Sequence, residues 1–207
     1  MFTGIVDAIG TIISVDRTDA GREIRISAPY NDLSEGESIA VNGACLTVRS
    51  HDRSEFTVAA VMTTLDRTTI DDWHAGTRVN LERSMPADGR FGGHLVQGHV
   101  DGVGTVTAVS RRGDAVLIDI EVPADLRREI VPLGSVAVDG VSLTVNDTVG
   151  GKLQVSLIQY TLQHTALDDL RTGRRVHIET DVIGKYVRRL VEPYQDNTPA
   201  LGRGQDE

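Results

Sequence analysis

Val41-Asn42-Gly43-Ala44-Cys45-Leu46-Thr47-Val48 returns as Val138-Asp139-Gly140-Val141-Ser142-Leu143-Thr144-Val145, 97 positions further along the chain. The register holds downstream, where Thr64-Leu65, Thr68, Asp71-Asp72, Gly76, Arg78-Val79 and Glu82 meet Thr161-Leu162, Thr165, Asp168-Asp169, Gly173, Arg175-Val176 and Glu179. Upstream, at an offset of 94, Gly4-Ile5-Val6-Asp7-Ala8-Ile9-Gly10-Thr11 meets Gly98-His99-Val100-Asp101-Gly102-Val103-Gly104-Thr105. A register kept this long marks a tandem duplication. The junction falls in or near Ala87-Asp88-Gly89-Arg90-Phe91-Gly92-Gly93, a run suited to a linker.

Within each repeat the composition leans to β-structure. Val, Ile and Thr are abundant, fitting pleated surfaces, and 21 glycines supply turns. Ile24-Arg25-Ile26-Ser27, Val116 to Val122 and Leu153-Gln154-Val155-Ser156-Leu157 alternate wholly or in part, as half-buried strands do. Short strands with turn signals between them predict an all-β fold, each repeat closing as a small β-barrel. Thr64 to Asp72 and its copy read as a short helical or turn segment. After the second repeat, Ile183, Val187, Leu190 and Val191 make one apolar face of a helix. That face either packs on its own barrel or serves association, since an apolar stripe needs a surface to bury it. The expected divisions are 1–97 and 98–182 for the two barrels, 183–192 for the helix and 193–207 for a mobile tail.

The chain has 207 residues, 40% hydrophobic and 25% charged, which is ordinary soluble globular composition. No apolar run approaches the ~18 residues that span a bilayer, and the start lacks the features of a signal peptide. A cytoplasmic protein without a membrane partner is expected. The single cysteine, Cys45, excludes an internal disulfide framework and a CxxC zinc site. A formal net charge of -9 argues against nucleic acid as a main partner, because phosphate binding needs clustered Lys and Arg. A small molecule is the expected ligand.

Chemistry is expected where the repeats ceased to be copies: Ile5 against His99, Cys45 against Ser142, and Ser84 against Asp181. Each has a bland alternative. His99 can exchange a proton near neutral pH, or be a hydrogen-bonded surface residue. Cys45 reads as a nucleophile or as a small buried hydrophobe. Ser142 has no GxSxG elbow around it, and His94 with His99 lacks further ligands nearby, so neither a hydrolase triad nor a metal site has motif support. Neither GxGxxG nor GxxxxGK[ST] occurs in the strand-to-helix context that binds phosphate.

Five segments together closely resemble the riboflavin synthases. They are Met1-Phe2-Thr3-Gly4-Ile5-Val6, the NGxCLTV run at Asn42 to Val48, Gly92-Gly93-His94-Leu95-Val96-Gln97-Gly98-His99-Val100-Asp101-Gly102, the DGxSLTV run at Asp139 to Val145, and Asp181-Val182-Ile183-Gly184-Lys185-Tyr186-Val187. The resemblance covers roughly residues 1 to 191. It implies two tandem six-stranded Greek-key barrels, a C-terminal α-helix and a homotrimer held largely by those helices. It further implies dismutation of two 6,7-dimethyl-8-ribityllumazine molecules to riboflavin and 5-amino-6-ribitylamino-uracil, with no cofactor and no metal. In the family the reacting pair sits between the N-terminal barrel of one subunit and the C-terminal barrel of its neighbour. Lumazine synthase is a candidate protein partner on the same ground.

By the same resemblance, the first barrel's pocket is expected to use Gly4, Ile5, Val6, Cys45, Leu46, Thr47, Ala59 and Thr64. The second is expected to use Gly98, His99, Val100, Ser142, Leu143, Thr144, Ser156, Leu157, Ile158 and Thr161. Catalytic roles fall on His99 for proton transfer, Ser142 for activation or orientation, Asp181 for proton handling and Cys45 at the acceptor. The chain departs from the family pattern at Ala59, where an Asp is common, at Met62-Thr63 and Gln159-Tyr160, where Pro-Glu or Pro-His is common, and at Leu133, a frequent Lys. These changes predict less polar pockets. The rival reading is a non-catalytic lumazine- or flavin-binding protein on the same duplicated fold.

Overall fold

The computed structural model describes residues 1–195 and contains two closed six-stranded antiparallel barrels. The first comprises β1 (Ala8–Thr18), β2 (Gly21–Ser27), β3 (Ser38–Val41), β4 (Ala44–His51), β5 (Glu55–Val61) and β6 (Arg78–Arg83), in spatial order 1-2-5-4-3-6. The second repeats that order with β7 (Gly102–Arg112), β8 (Ala115–Glu121), β9 (Ser135–Val138), β10 (Val141–Asp147), β11 (Lys152–Leu157) and β12 (Arg175–Thr180). Alternation builds both cores: Leu46, Val48, Phe56 and Val58 point inward in one, Leu143, Val145, Val155 and Leu157 in the other. The strands bend where register shifts, between Val48 and Ser50 and again between Val145 and Asp147, so the same bulge helps close each barrel. The all-β duplication expected from sequence is the observed architecture.

Asn42-Gly43 and Asp139-Gly140 turn β3 into β4 and β9 into β10. Both residues of each pair have positive φ, near 45° and 79°, as tight hairpins require. The two turns lie back to back. A Cβ on Gly43 would stand 2.8 Å from the Gly140 nitrogen, and one on Gly140 would stand 2.6 Å from the Gly43 nitrogen. An approximate two-fold relation thus joins the barrels, and polar pairs repeat across it. Asn80 Nδ2 donates to the Asp139 carbonyl (2.9 Å) and its Oδ1 accepts the Ala166 N–H (2.6 Å). Its repeat copy His177 bonds the Asn42 carbonyl through Nδ1 (2.8 Å), and its Nε2 accepts the Thr69 N–H (2.8 Å).

Short helices α1 (Met62–Leu65) and α2 (Gln159–His164) follow β5 and β11. The C-terminal helix α3 runs Val182–Gln195, three residues past the expected end at 192. The rest of the expected tail lies outside the described residues. Arg188 ties α3 to Glu129 (2.8 Å) and Lys185 ties it to Asp101 (2.7 Å). Its apolar stripe stays uncovered: Ile183, Tyr186, Val187, Leu190 and Tyr194 are all more than half exposed.

Candidate functional site

On the outward face of each barrel an arm from the other repeat crosses the fourth strand, and on the first barrel this crossing encloses a cleft. In β4, Cys45 and Thr47 alternate outward between buried Leu46 and Val48. The segment Gly98 to Val100 lies across them: the Cys45 N–H donates to the Gly98 carbonyl (2.8 Å), and Val100 is buried in the first barrel's core. Gly98 has φ 78°, and a Cβ there would stand 2.5 Å from the Cys45 Cβ, so the approach requires glycine. The resulting cleft, about 310 Å³, is lined by Ala44, Cys45, Thr63, Thr64, Arg67, Thr68, Gly98, His99, Val100 and Asp101.

The second barrel repeats the arrangement with the N-terminal arm. The Ser142 N–H donates to the Gly4 carbonyl (2.8 Å), and Val6 packs against the second core. Ser142, Thr144 and Ser156 alternate outward on β10 and β11, Thr161 is half-buried on α2, and Ile158 is exposed at the strand end. The grouping expected from sequence is therefore exchanged: Gly4, Ile5 and Val6 sit on the second barrel, and Gly98, His99 and Val100 on the first. Buried carboxylates hold the crossing arms. Glu82 accepts the Thr3 and Gly4 N–H groups (2.6 and 2.9 Å), and Glu179 those of Gln97 and Gly98 (2.7 and 3.0 Å). Burial outweighs these bonds and pushes the Glu179 carboxyl up to about 6.

The expected catalytic residues thus divide between the pockets. Cys45 and an exposed His99 line the first. Ser142 belongs to the second, where its Oγ lies 2.7 Å from His94 Nδ1. Asp181 caps α3 by accepting the Ile183 N–H (2.9 Å), and its charge acts on the His94 ring. His99 lines the first barrel's cleft while the buried His94 meets Ser142 on the second barrel, so the two do not converge. Leu46, Leu143 and Leu157 send their side chains into the cores and leave only backbone groups for a ligand. Ala59 is the half-buried repeat copy of Ser156, whose hydroxyl accepts from Asn146 Nδ2 (2.6 Å).

Sequence reasoning missed His94, which meets Ser142, and Thr63, Arg67, Thr68 and Asp101, which line the cleft. The four cleft residues lie beside positions already singled out: Thr63 in α1, Arg67 and Thr68 just after it, and Asp101 in the arm. His94 had no local signal, because its partner is 48 residues away in the chain.

Comparison with known proteins bears on this arrangement directly. The family described as the lumazine binding domain matches twice, at residues 3–84 and 97–181. Riboflavin synthase of Bacillus subtilis is 40% identical over 199 residues, covering 95% of this chain and 93% of the relative. The chain belongs to the riboflavin synthase family. The Schizosaccharomyces pombe riboflavin synthase is likewise 40% identical, over 94% of this chain and 95% of its own length. Among solved structures, LumP complexed with 6,7-dimethyl-8-(1'-D-ribityl) lumazine superposes with a TM-score of 0.73 at 26% identity, covering 87% of this chain and 99% of that one. LumP complexed with riboflavin gives 0.74. Met62, Leu133 and Tyr160, expected from the resemblance to depart from the family pattern, are 56%, 83% and 66% exposed. Leu133 also holds a left-handed φ of 64°, its N–H tied to the Val145 carbonyl (2.8 Å).

Proposed function

We propose that the chain catalyses the dismutation of two 6,7-dimethyl-8-ribityllumazine molecules to riboflavin and 5-amino-6-ribitylamino-uracil. A four-carbon unit moves from one molecule to the other, which makes the protein a transferase. The observation that carries the reading is the repeated crossing of strand and arm, alike in build and unlike at its reactive positions: Cys45 with His99 on the first barrel, where it encloses a cleft, and Ser142 with Ile5 on the second. A reaction between two copies of one ligand suits two copies of one binding fold. Much of its rate would come from holding the rings face to face. Outward Thr47, Thr144 and Ser156 offer hydroxyls for a ribityl chain, and backbone groups of the arms offer amides for a pyrimidine edge.

The bare apolar stripe of α3 supports a homotrimer joined through these helices, in which one chain's first pocket faces its neighbour's second. Exposed Val61 and Met62 beside one pocket and Ile158 and Tyr160 beside the other would then be covered. Incubating the purified protein with the lumazine alone tests the function. One riboflavin formed per two lumazines consumed is the expected result. Tight binding without conversion would instead establish a non-catalytic binder.

A further inference from the structure

We propose that Lys185 is a positioning residue of the first barrel's cleft: it clamps Asp101, fixes the arm that carries His99, and so ties that cleft to the docking of α3. This rests on the dismutation reading, which supplies the cleft's ligand. The arm is pinned on both sides of His99. On one side the Gly98 carbonyl accepts the Cys45 N–H (2.8 Å). On the other, the Asp101 N–H donates to the Ile178 carbonyl (2.9 Å). One oxygen of the Asp101 carboxylate then takes three donors: the Thr180 N–H (2.8 Å), the Thr180 hydroxyl (3.0 Å) and Lys185 Nζ (2.7 Å). Asp101 itself lines the cleft. Its repeat copy, Asp7, accepts the N–H of Arg83 (3.1 Å), the copy of Thr180, and is otherwise held by the Tyr30 hydroxyl from the loop after β2. A neutral group of the barrel itself serves one arm, and a cation from α3 serves the other.

The ion pair is not one that solvent screens away, because both of its side chains are less than a quarter exposed. The Lys185 charge also acts on Glu179, whose carboxylate holds the Gln97 and Gly98 N–H groups. One ammonium therefore faces both acids that hold the arm, and without it those acids repel each other across it. The helix is seated closely at this point: a Cβ on Gly184 would stand 2.8 Å from the Glu129 carbonyl oxygen. Arg188, one turn further along α3, bonds Glu129 and the Asp125 carbonyl (both 2.8 Å), which lie off the arm. The two cations thus dock one helix on different parts of the molecule, and only Lys185 reaches the cleft.

The chain's single cysteine gives the arm its own reporter, since Cys45 lies directly under Gly98. Full-length parent, Lys185→Met, Lys185→Arg and Arg188→Met are compared by the rate of Cys45 labelling with a neutral maleimide and by fluorescence titration with 6,7-dimethyl-8-ribityllumazine. A loosened arm uncovers the thiol, so Lys185→Met should label roughly fivefold faster or more, and Lys185→Arg should stay within about twofold of the parent. In the titration, one of the two sites per chain should weaken by a similar factor in Lys185→Met and the other should not move. Arg188→Met removes a comparable helix bond away from the arm, and its labelling should stay within about twofold of the parent. Lys185→Met is repeated in a Leu190→Asp background, where the bare stripe of α3 cannot support association. The faster labelling should persist there, because the clamp lies within one chain. Unchanged labelling in Lys185→Met, an equal rise in Arg188→Met, or loss of the effect in the Leu190→Asp background would each overturn the proposal. A parent that binds no lumazine would overturn the dismutation reading instead, and the labelling rates would still decide whether Lys185 holds the arm.

Discussion

Ser142 and Cys45 hold the same place in two copies of one strand, yet their neighbours differ because each meets an arm from the opposite repeat. Gly4 and Gly98 make that meeting possible, with φ of 76° and 78° and no room for a side chain. Gly98→Ala should therefore cost about 2 kcal/mol or more in urea unfolding, from the left-handed backbone and the clash together. It should also abolish ligand binding at the first pocket while sparing the second, so a fluorescence titration should find one site per chain in place of two. Gly4→Ala should do the reverse. The repeat mismatches at 5/99, 45/142 and 84/181 were legible in sequence, since a duplication makes every mismatch visible. The pocket each residue serves was not. Crossing of the arms depends on bonds such as Cys45 N–H to Gly98 C=O, between residues more than fifty positions apart, which leave no periodic trace.

At the level of elements, the short barrel strands and the C-terminal helix followed from local pattern: glycine turn signals, alternation, and an apolar stripe. The seam between barrels did not, because its bonds join residues such as Asn80 and Asp139 that no local rule pairs. His177 is its most buried titratable imidazole, stacked near Trp73 and facing Asp139, with Arg175 beside it in β12. Burial, opposed by Asp139, keeps its pKa below the ordinary 6.5. The unfolded chain then binds the proton more readily, so His177 contributes stability that is present above about pH 6.5 and lost as pH falls. Glu179 works in the opposite sense: with its carboxyl raised from 4.5 to about 6, its contribution declines as pH rises through that window. His177→Asn installs the residue its repeat copy Asn80 already uses for the same two bonds. Thermal melts at pH 7 and pH 5 should show a smaller acid-induced loss for the variant than for the parent. An unchanged loss would mean that His177 does not carry it.

On the scale of the whole molecule, α3 is attached by polar bonds and leaves its apolar side bare. Leu190→Asp should leave the barrels within about 0.5 kcal/mol of their parent stability, because Leu190 is 68% exposed in the single chain. The same change should convert a trimer to monomers in sedimentation velocity and reduce turnover with it. A variant that remains trimeric would move the association surface elsewhere. The back-to-back turns at Gly43 and Gly140 carry a different implication, one of descent. Gly43 and Gly140 face each other, so a side chain gained at either would collide at once with the other's backbone, while Asn42 and Asp139 beside them already differ. Two positions along, at Cys45 and Ser142, each copy faces a separate pocket and was free to diverge. The glycine contact is where the two copies must stay alike, and the positions free to differ begin where that contact ends.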